Sequence, residues 1–205
     1  MLSTLFHQYR SAVAALQKLD VFAGLALRVY LVPIFWMAGT QKLSHFSDTV
    51  AWFGNSDWGL GLPLPWLMAA LATAAELGGA ILLALGLFTR ATVIPLIITM
   101  LVAIGTVHRD YGWQAIADPG APFATERVEQ AAIKLERARD ILREHGHYDW
   151  LTSSGSFVVL NNGIEFAATY LIMLLALLVW GPGRYLSADY WIVRYAFSRL
   201  ASKSR

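Results

Sequence analysis

The sequence predicts an all-α integral membrane protein: a four-helix bundle with interfacial helices and a helical insert between its third and fourth crossings. Three observations carry this. Of 205 residues, 57% are hydrophobic and only 15% are charged, where an ordinary globular domain has about 25% charged. The mean hydropathy is +0.49. The apolar residues also gather into four runs. One of them, LPWLMAALATAAELGGAILLALGLFTR from Leu64 to Arg90, exceeds the roughly 20 residues needed to cross a ~30 Å hydrocarbon layer. The chain reads as one membrane domain, residues 1–205, with crossings at about 21–41, 64–88, 91–107 and 164–180 and an outer insert at about 109–162. Cysteine is absent, which excludes disulfides, thiolate metal sites, iron–sulfur ligation and thioether-bound haem. A net charge of +2 gives no ground for nucleic-acid binding.

From Met1 to Asp20, apolar Leu2, Leu5, Phe6, Tyr9, Val13 and Leu16 recur at helical steps, as in a helix lying in the membrane surface or a short packed helix. With Arg10 inside it and no clean apolar core before a cleavage site, this stretch is not a signal peptide. The first crossing is expected to target the chain. That crossing carries Arg28 and Pro33 and ends at Lys42. Leu43 to Pro63, with Trp52, Phe53, Trp58 and GLGLPLP, reads as an interfacial loop or short helix, since aromatic rings settle at headgroup level. The second crossing holds one mid-helix charge, Glu76, among small residues Ala69, Ala72, Thr73, Gly79 and Ala80 that let neighbouring backbones approach. The third ends in His108, Arg109 and Asp110 and is on the short side for a span. In the insert, Thr125 is the expected N-cap and Gly146 the stop of a helix over about 126–145, with Val128, Ala132, Leu135 and Leu142 on one face. Ile164–Trp180 precedes GPG and a basic, aromatic tail with Tyr190, Trp191, Arg194 and Tyr195.

Lysines and arginines near the crossings set the orientation. Arg10, Lys18, Arg90, Arg184, Arg194, Arg199, Lys203 and Arg205 fall on one side, against Lys42 and Arg109 on the other, so both termini are expected in the cytoplasm.

The buried charges are the candidates for function. Counted from Thr40 and from Pro63 at 1.5 Å per residue, Arg28 and Glu76 each lie about 18 Å deep. An Arg28–Glu76 ion pair near the bilayer centre is therefore expected, because either charge alone is costly there. The candidate pocket has Arg28 and Glu76 as floor and Lys42, His108, Glu165, Asn161 and Asn162 as rim; Arg28, Glu76 and His108 are its candidate catalytic groups. The same residues could instead fix helix register. No metal is assigned; His145 and His147, which flank Gly146 near Asp149, match a helix end and would be the ligands if one bound. His7 and His45 receive no role.

The residues Arg28, GTQKL with Gly39 and Lys42, GLPLP at 61–65, AELGG at 75–79, GLFTR at 86–90, His108 and GPGR at 181–184 together resemble the DoxX family of small four-helix membrane proteins. The insert TERVEQAAIKLERARDILREHG and the following NNGIEFAATY resemble its HvfX-like branch, associated with making copper-binding, ribosomally produced modified peptides (RiPPs). The resemblance implies a bacterial inner-membrane protein that assists RiPP maturation. The wider family includes a subunit of thiosulfate:quinone oxidoreductase, so the resemblance also implies a quinone-linked redox role. A quinone is then the cofactor class to test, with no covalent or thiolate-bound cofactor expected; catalysis is left open. The implied partners are membrane lipid, soluble maturation enzymes or the peptide, and a second copy of the chain. The alternatives are a non-enzymatic scaffold that recruits such enzymes through the basic tail, or a small transporter.

Overall fold

A computed structural model describes residues 6–11, 13 and 20–203. The expected N-terminal surface helix falls partly outside these residues, with Leu2, Leu5, Leu16 and Lys18; so does Arg205 at the far end. Residues 6–11 are helical and exposed. The helices are α1 (Asp20–Ser44), α2 (Phe46–Gly54), α3 (Pro65–Leu85), α4 (Thr89–Val102), α5 (Glu126–His145), α6 (Tyr148–Leu151), α7 (Glu165–Trp180) and α8 (Ala188–Lys203). Among the described residues there is no strand, only a single antiparallel bridge between Ile116 and Leu160. The chain forms two compact units: Met1–Thr99 with Leu171–Arg205, and Met100–Tyr170.

Among the described residues three helical stretches are long and apolar enough to cross a membrane: Val21–Ser44, Pro65–Leu85 and Thr89–Tyr111. The third is longer than its sequence suggested. After Val102 the helix does not stop but widens into a π-turn over Ala103–His108 and tightens into a 3-10 turn over Arg109–Tyr111. Pro33 lies inside α1 without ending it, since in an apolar helix neighbouring groups take over the freed carbonyl. α7 is equally apolar but has 16 residues.

In the first unit, α1 buries Gly24, Arg28, Leu31, Phe35 and Gly39 at steps of three and four, and α3 buries Ala69, Thr73, Glu76, Ala80 and Leu83 in the same way. The opposite faces, with Val29, Met37, Leu71 and Ile81, are exposed and suit lipid. Small residues set how close the backbones come. A Cβ on Gly39 would lie 2.7 Å from Leu77 Cγ, and one on Gly24 would lie 2.6 Å from the backbone nitrogen of Gly183. Gly24 is thus the seat of the GPG turn. Gly24→Val should destabilise the chain by about 2 kcal/mol or more, since backbone rather than a flexible side chain must yield; thermal unfolding followed by tryptophan fluorescence checks this.

In the second unit, α5 spans the expected range and turns Val128 inward, with Ala132, Leu135 and Leu142 half-buried on the same side. Thr125 stands at the N-cap position, but its side chain makes no cap bond and its Oγ1 is buried without a partner. Its carbonyl instead accepts from Val128 and Glu129. Gly146 ends the helix as expected, its N–H donating to the Leu142 carbonyl.

Candidate functional site

Glu76 is 4% exposed, and its partner is Lys42. The ammonium donates to both carboxylate oxygens, at 2.9 and 2.7 Å. Arg28 is 1% exposed and does not meet Glu76. Its guanidinium donates to four backbone carbonyls: Nε to Pro182 at 3.1 Å, Nη1 to Leu83 at 3.0 Å and Ala84 at 3.4 Å, and Nη2 to Leu186.

The expected Arg28–Glu76 pair is therefore corrected, and the reason is register. The depth count set Thr40 level with Pro63, yet Gly39 packs on Leu77, an offset of roughly a dozen residues or about 18 Å. The short helix α2 and the loop after it take up that length, so α3 starts well beyond the end of α1. Arg28 consequently reaches the last turn of α3, where carbonyls lack helical partners and a cation is favoured. Glu76 comes level with the last turn of α1, where Lys42 sits. The two polar centres lie roughly 21 Å apart along α1, separated by Leu31, Phe35 and Gly39.

The Arg28 centre is a tie-point for three segments. Ser187 donates to the Gly183 carbonyl at 2.9 Å. Asp189 accepts from the backbone N–H groups of Phe88 at 2.7 Å and Thr89 at 2.9 Å, capping α4 from 100 residues away. Ser187 and Asp189 were not among the expected site residues; the signal available in the sequence was their position just after GPGR. Every guanidinium nitrogen is engaged by backbone, and four of the five N–H donors are used, so Arg28 ties these segments together.

The Lys42 centre is different. It borders an open cleft of about 400 Å³ between the end of α1 and α2, walled by Gln41, Lys42, His45, Asp48, Thr49 and Trp52. Lys42 has a side-chain exposure of 26% against 5% for Glu76, so the ammonium stands between the buried carboxylate and the cleft. An ammonium has three donors, and Glu76 takes two. The Trp52 ring, edge-to-face with Phe53 at 5.6 Å, supplies a flat apolar wall.

The remaining rim candidates belong to the second unit, where they hold its backbone. Asn161 is 2% exposed; its amide donates to the carbonyls of Tyr111 and Gln114, both at 2.8 Å, and its oxygen accepts from Arg127 at 3.2 Å. Glu165 accepts from the Ala115 N–H at 2.8 Å. Asn162 has φ 60°, a left-handed conformation that asparagine tolerates, and its carbonyl lies 2.8 Å from Nδ1 of His108. His108 closes the π-turn, a helical irregularity often found at functional sites. NNG is thus a stitch between the segment before α7 and residues 111–115.

On the outer face of α5, Glu136 pairs with Arg139 at 3.2 Å and Arg143 at 3.0 Å. Hydrogen bonds from Arg143 and then Arg139 hold the Glu136 carboxyl below its usual range, and the same contact with Glu136 raises Arg143. His145 lies 3.8 Å from Glu144 at the exposed end of this helix. Among the described residues no three His, Asp or Glu side chains are grouped to hold a metal ion.

Residues 23–109 match the model of the DoxX family. Over 66 residues the chain is 39% identical to inner membrane protein YphA of Escherichia coli (strain K12), a stretch that covers 32% of this chain and 44% of that protein. The chain thus spans less than half the length of the curated relative it matches. No solved structure matches it. The family match takes in Arg28, Lys42, Glu76 and His108 and excludes the α5 insert, the GPGR turn and α8.

Proposed function

We propose that this chain is an inner-membrane protein of four crossings that holds the head group of a lipid quinone in the Lys42 cleft, as a redox accessory in maturing a copper-binding modified peptide. One observation carries the binding site: a buried carboxylate takes two donors of an ammonium whose remaining donor borders an open, aromatic-walled cleft. A quinone head is flat, apolar in the middle and a hydrogen-bond acceptor at both ends. Lys42 and Gln41 supply donors, and Trp52 supplies a face for stacking, so the residues present fit the group. A bound quinone would supply two-electron, two-proton redox chemistry. Lys42 and Glu76 would hold a proton at the site, the ammonium orienting a carbonyl oxygen and the carboxylate keeping that ammonium in place.

α7 serves as the fourth crossing in this reading. Its 16 residues give about 24 Å, which a locally thinned bilayer accommodates. Arg10, Arg90, Arg184 and Arg194 near one set of helix ends, against Lys42 and Arg109 near the other, support cytoplasmic termini and an outward-facing cleft. The peptide-maturation role is supported by the resemblance of the insert to HvfX-like proteins.

Titrating the purified chain in nanodiscs with a short-tailed ubiquinone should quench tryptophan fluorescence saturably. Lys42→Gln should weaken that binding at least tenfold, and His108→Gln should leave it unchanged. Equal quenching in wild type and Lys42→Gln would remove the cleft as the site. The scaffold reading draws on the basic end of the chain, Arg199, Lys203 and Arg205, beyond Trp191 and Tyr195. A cut after Arg184 would also remove Leu186, Ser187 and Asp189 from the Arg28 tie-point. A cut after Tyr195 removes Arg199, Lys203 and Arg205 and spares it, so recruitment should fail there while quinone binding persists.

A further inference from the structure

A second groove, of about 620 Å³, opens in the first unit between the α3–α4 turn, the GPG turn and α8; it is walled by Phe88, Arg90, Pro182, Ile192, Val193 and Arg194. We infer that it binds an anionic glycerophospholipid, with the lipid phosphate between Arg90 and Arg194 and an acyl chain along Phe88, Ile192 and Val193. Among the described lining residues two guanidinium groups, Arg90 and Arg194, stand against one acid, Asp189, a net charge of +1, and that acid is held at the Phe88 and Thr89 amides by both carboxylate oxygens. Arg90 uses one nitrogen on the Val179 carbonyl at 3.1 Å. Arg194 uses one on the Tyr190 hydroxyl at 3.2 Å, with its guanidinium 5.6 Å from the centre of the Trp191 ring. Those contacts steady two guanidinium groups and leave most of their five donors each for a ligand.

The walls are apolar and open. Phe88 is 64% exposed, Ile192 51% and Val193 53%, more apolar surface than a free phosphate could use. The groove sits where α3 ends, α4 begins and α7 ends, the level at which membrane-length helices meet the headgroups. Trp180, Tyr185 and Trp191 gather near it in sequence, the residue types of a membrane interface. At that level the abundant molecule with both a phosphate and an apolar tail is the phospholipid itself, and positive residues there favour its anionic forms.

The full chain, purified in a mild detergent, would be titrated with phosphatidylglycerol or phosphatidylcholine and its bound lipid counted by native mass spectrometry. Phosphatidylglycerol should be retained about tenfold better. The preference should vanish in the Arg90→Gln/Arg194→Gln double variant and in Ile192→Glu, which puts a carboxylate at the groove and keeps both arginines in the chain. Arg194→Gln alone should lose part of it, so the test stands even if the double variant fails to fold. Equal retention of the two lipids by the wild type would overturn the inference, as would an unchanged preference in Ile192→Glu. Displacement of phosphatidylglycerol by inorganic phosphate alone would also overturn it, since the site would then recognise the anion without the lipid.

Discussion

Replacing Arg28 by leucine should cost about 4 kcal/mol or more of stability, the largest loss expected from any single change in this chain. Leucine keeps the helix propensity and much of the bulk, so the cost isolates the guanidinium. The carbonyls of Ala84, Pro182 and Leu186 would lose the guanidinium inside a site that is 1% exposed at Arg28, and that of Leu83 would keep only the Gly86 N–H; each unpaired buried acceptor costs roughly 1–3 kcal/mol. Lysine should not rescue it, because a point ammonium cannot span a fork of carbonyls from three segments. Unfolding in a detergent series, read by tryptophan fluorescence, gives the size. A loss under about 1 kcal/mol would mean that the tie-point does not hold the α8 segment to the helix ends.

Lys42→Met should cost about 3 kcal/mol, and more than Glu76→Gln. The asymmetry follows from exposure. Removing the cation strands a carboxylate whose side chain is 5% exposed, whereas removing the carboxylate leaves an ammonium that is 26% exposed and can turn into the cleft. Stranding the buried partner of such a pair costs roughly 3–5 kcal/mol, and replacing both partners by neutral groups can restore most of it. The double variant Lys42→Met/Glu76→Gln should therefore be more stable than Lys42→Met alone. Unfolding of the four species as a thermodynamic cycle measures the coupling directly. Strict additivity would show that the two side chains do not depend on one another.

Both results separate what Arg28 and Glu76 share from what they do not. Each is a charge within an apolar helix, and for that reason each was legible in the sequence as needing a partner. The choice of partner was not legible. It depends on the offset between α1 and α3, which is set by how α2 and the Asn55–Leu64 loop fold back. No periodicity in either helix reports that offset. The rim candidates show a similar limit. Asn161, Asn162 and Glu165 stood out as polar groups at a helix start, but side-chain type cannot tell a ligand-facing amide from one that saturates the backbone of residues 111–115. Asp189 stands just after GPGR in the sequence, but its bonds to Phe88 and Thr89 cross 100 residues of chain, which no local pattern reports.

What the sequence settled by itself is local or bulk in origin. The membrane character, the all-helical class, the α5 boundaries and its inward face follow from composition and from apolar spacing, which act over a few turns. Tertiary structure alone decided the pairing: Lys42 with Glu76, Arg28 with four carbonyls, Asp189 with the start of α4. Each of those is a long-range choice among partners of equal chemistry. It is made by the close approach that Gly24 and Gly39 permit and by the length of chain that the connections between helices consume.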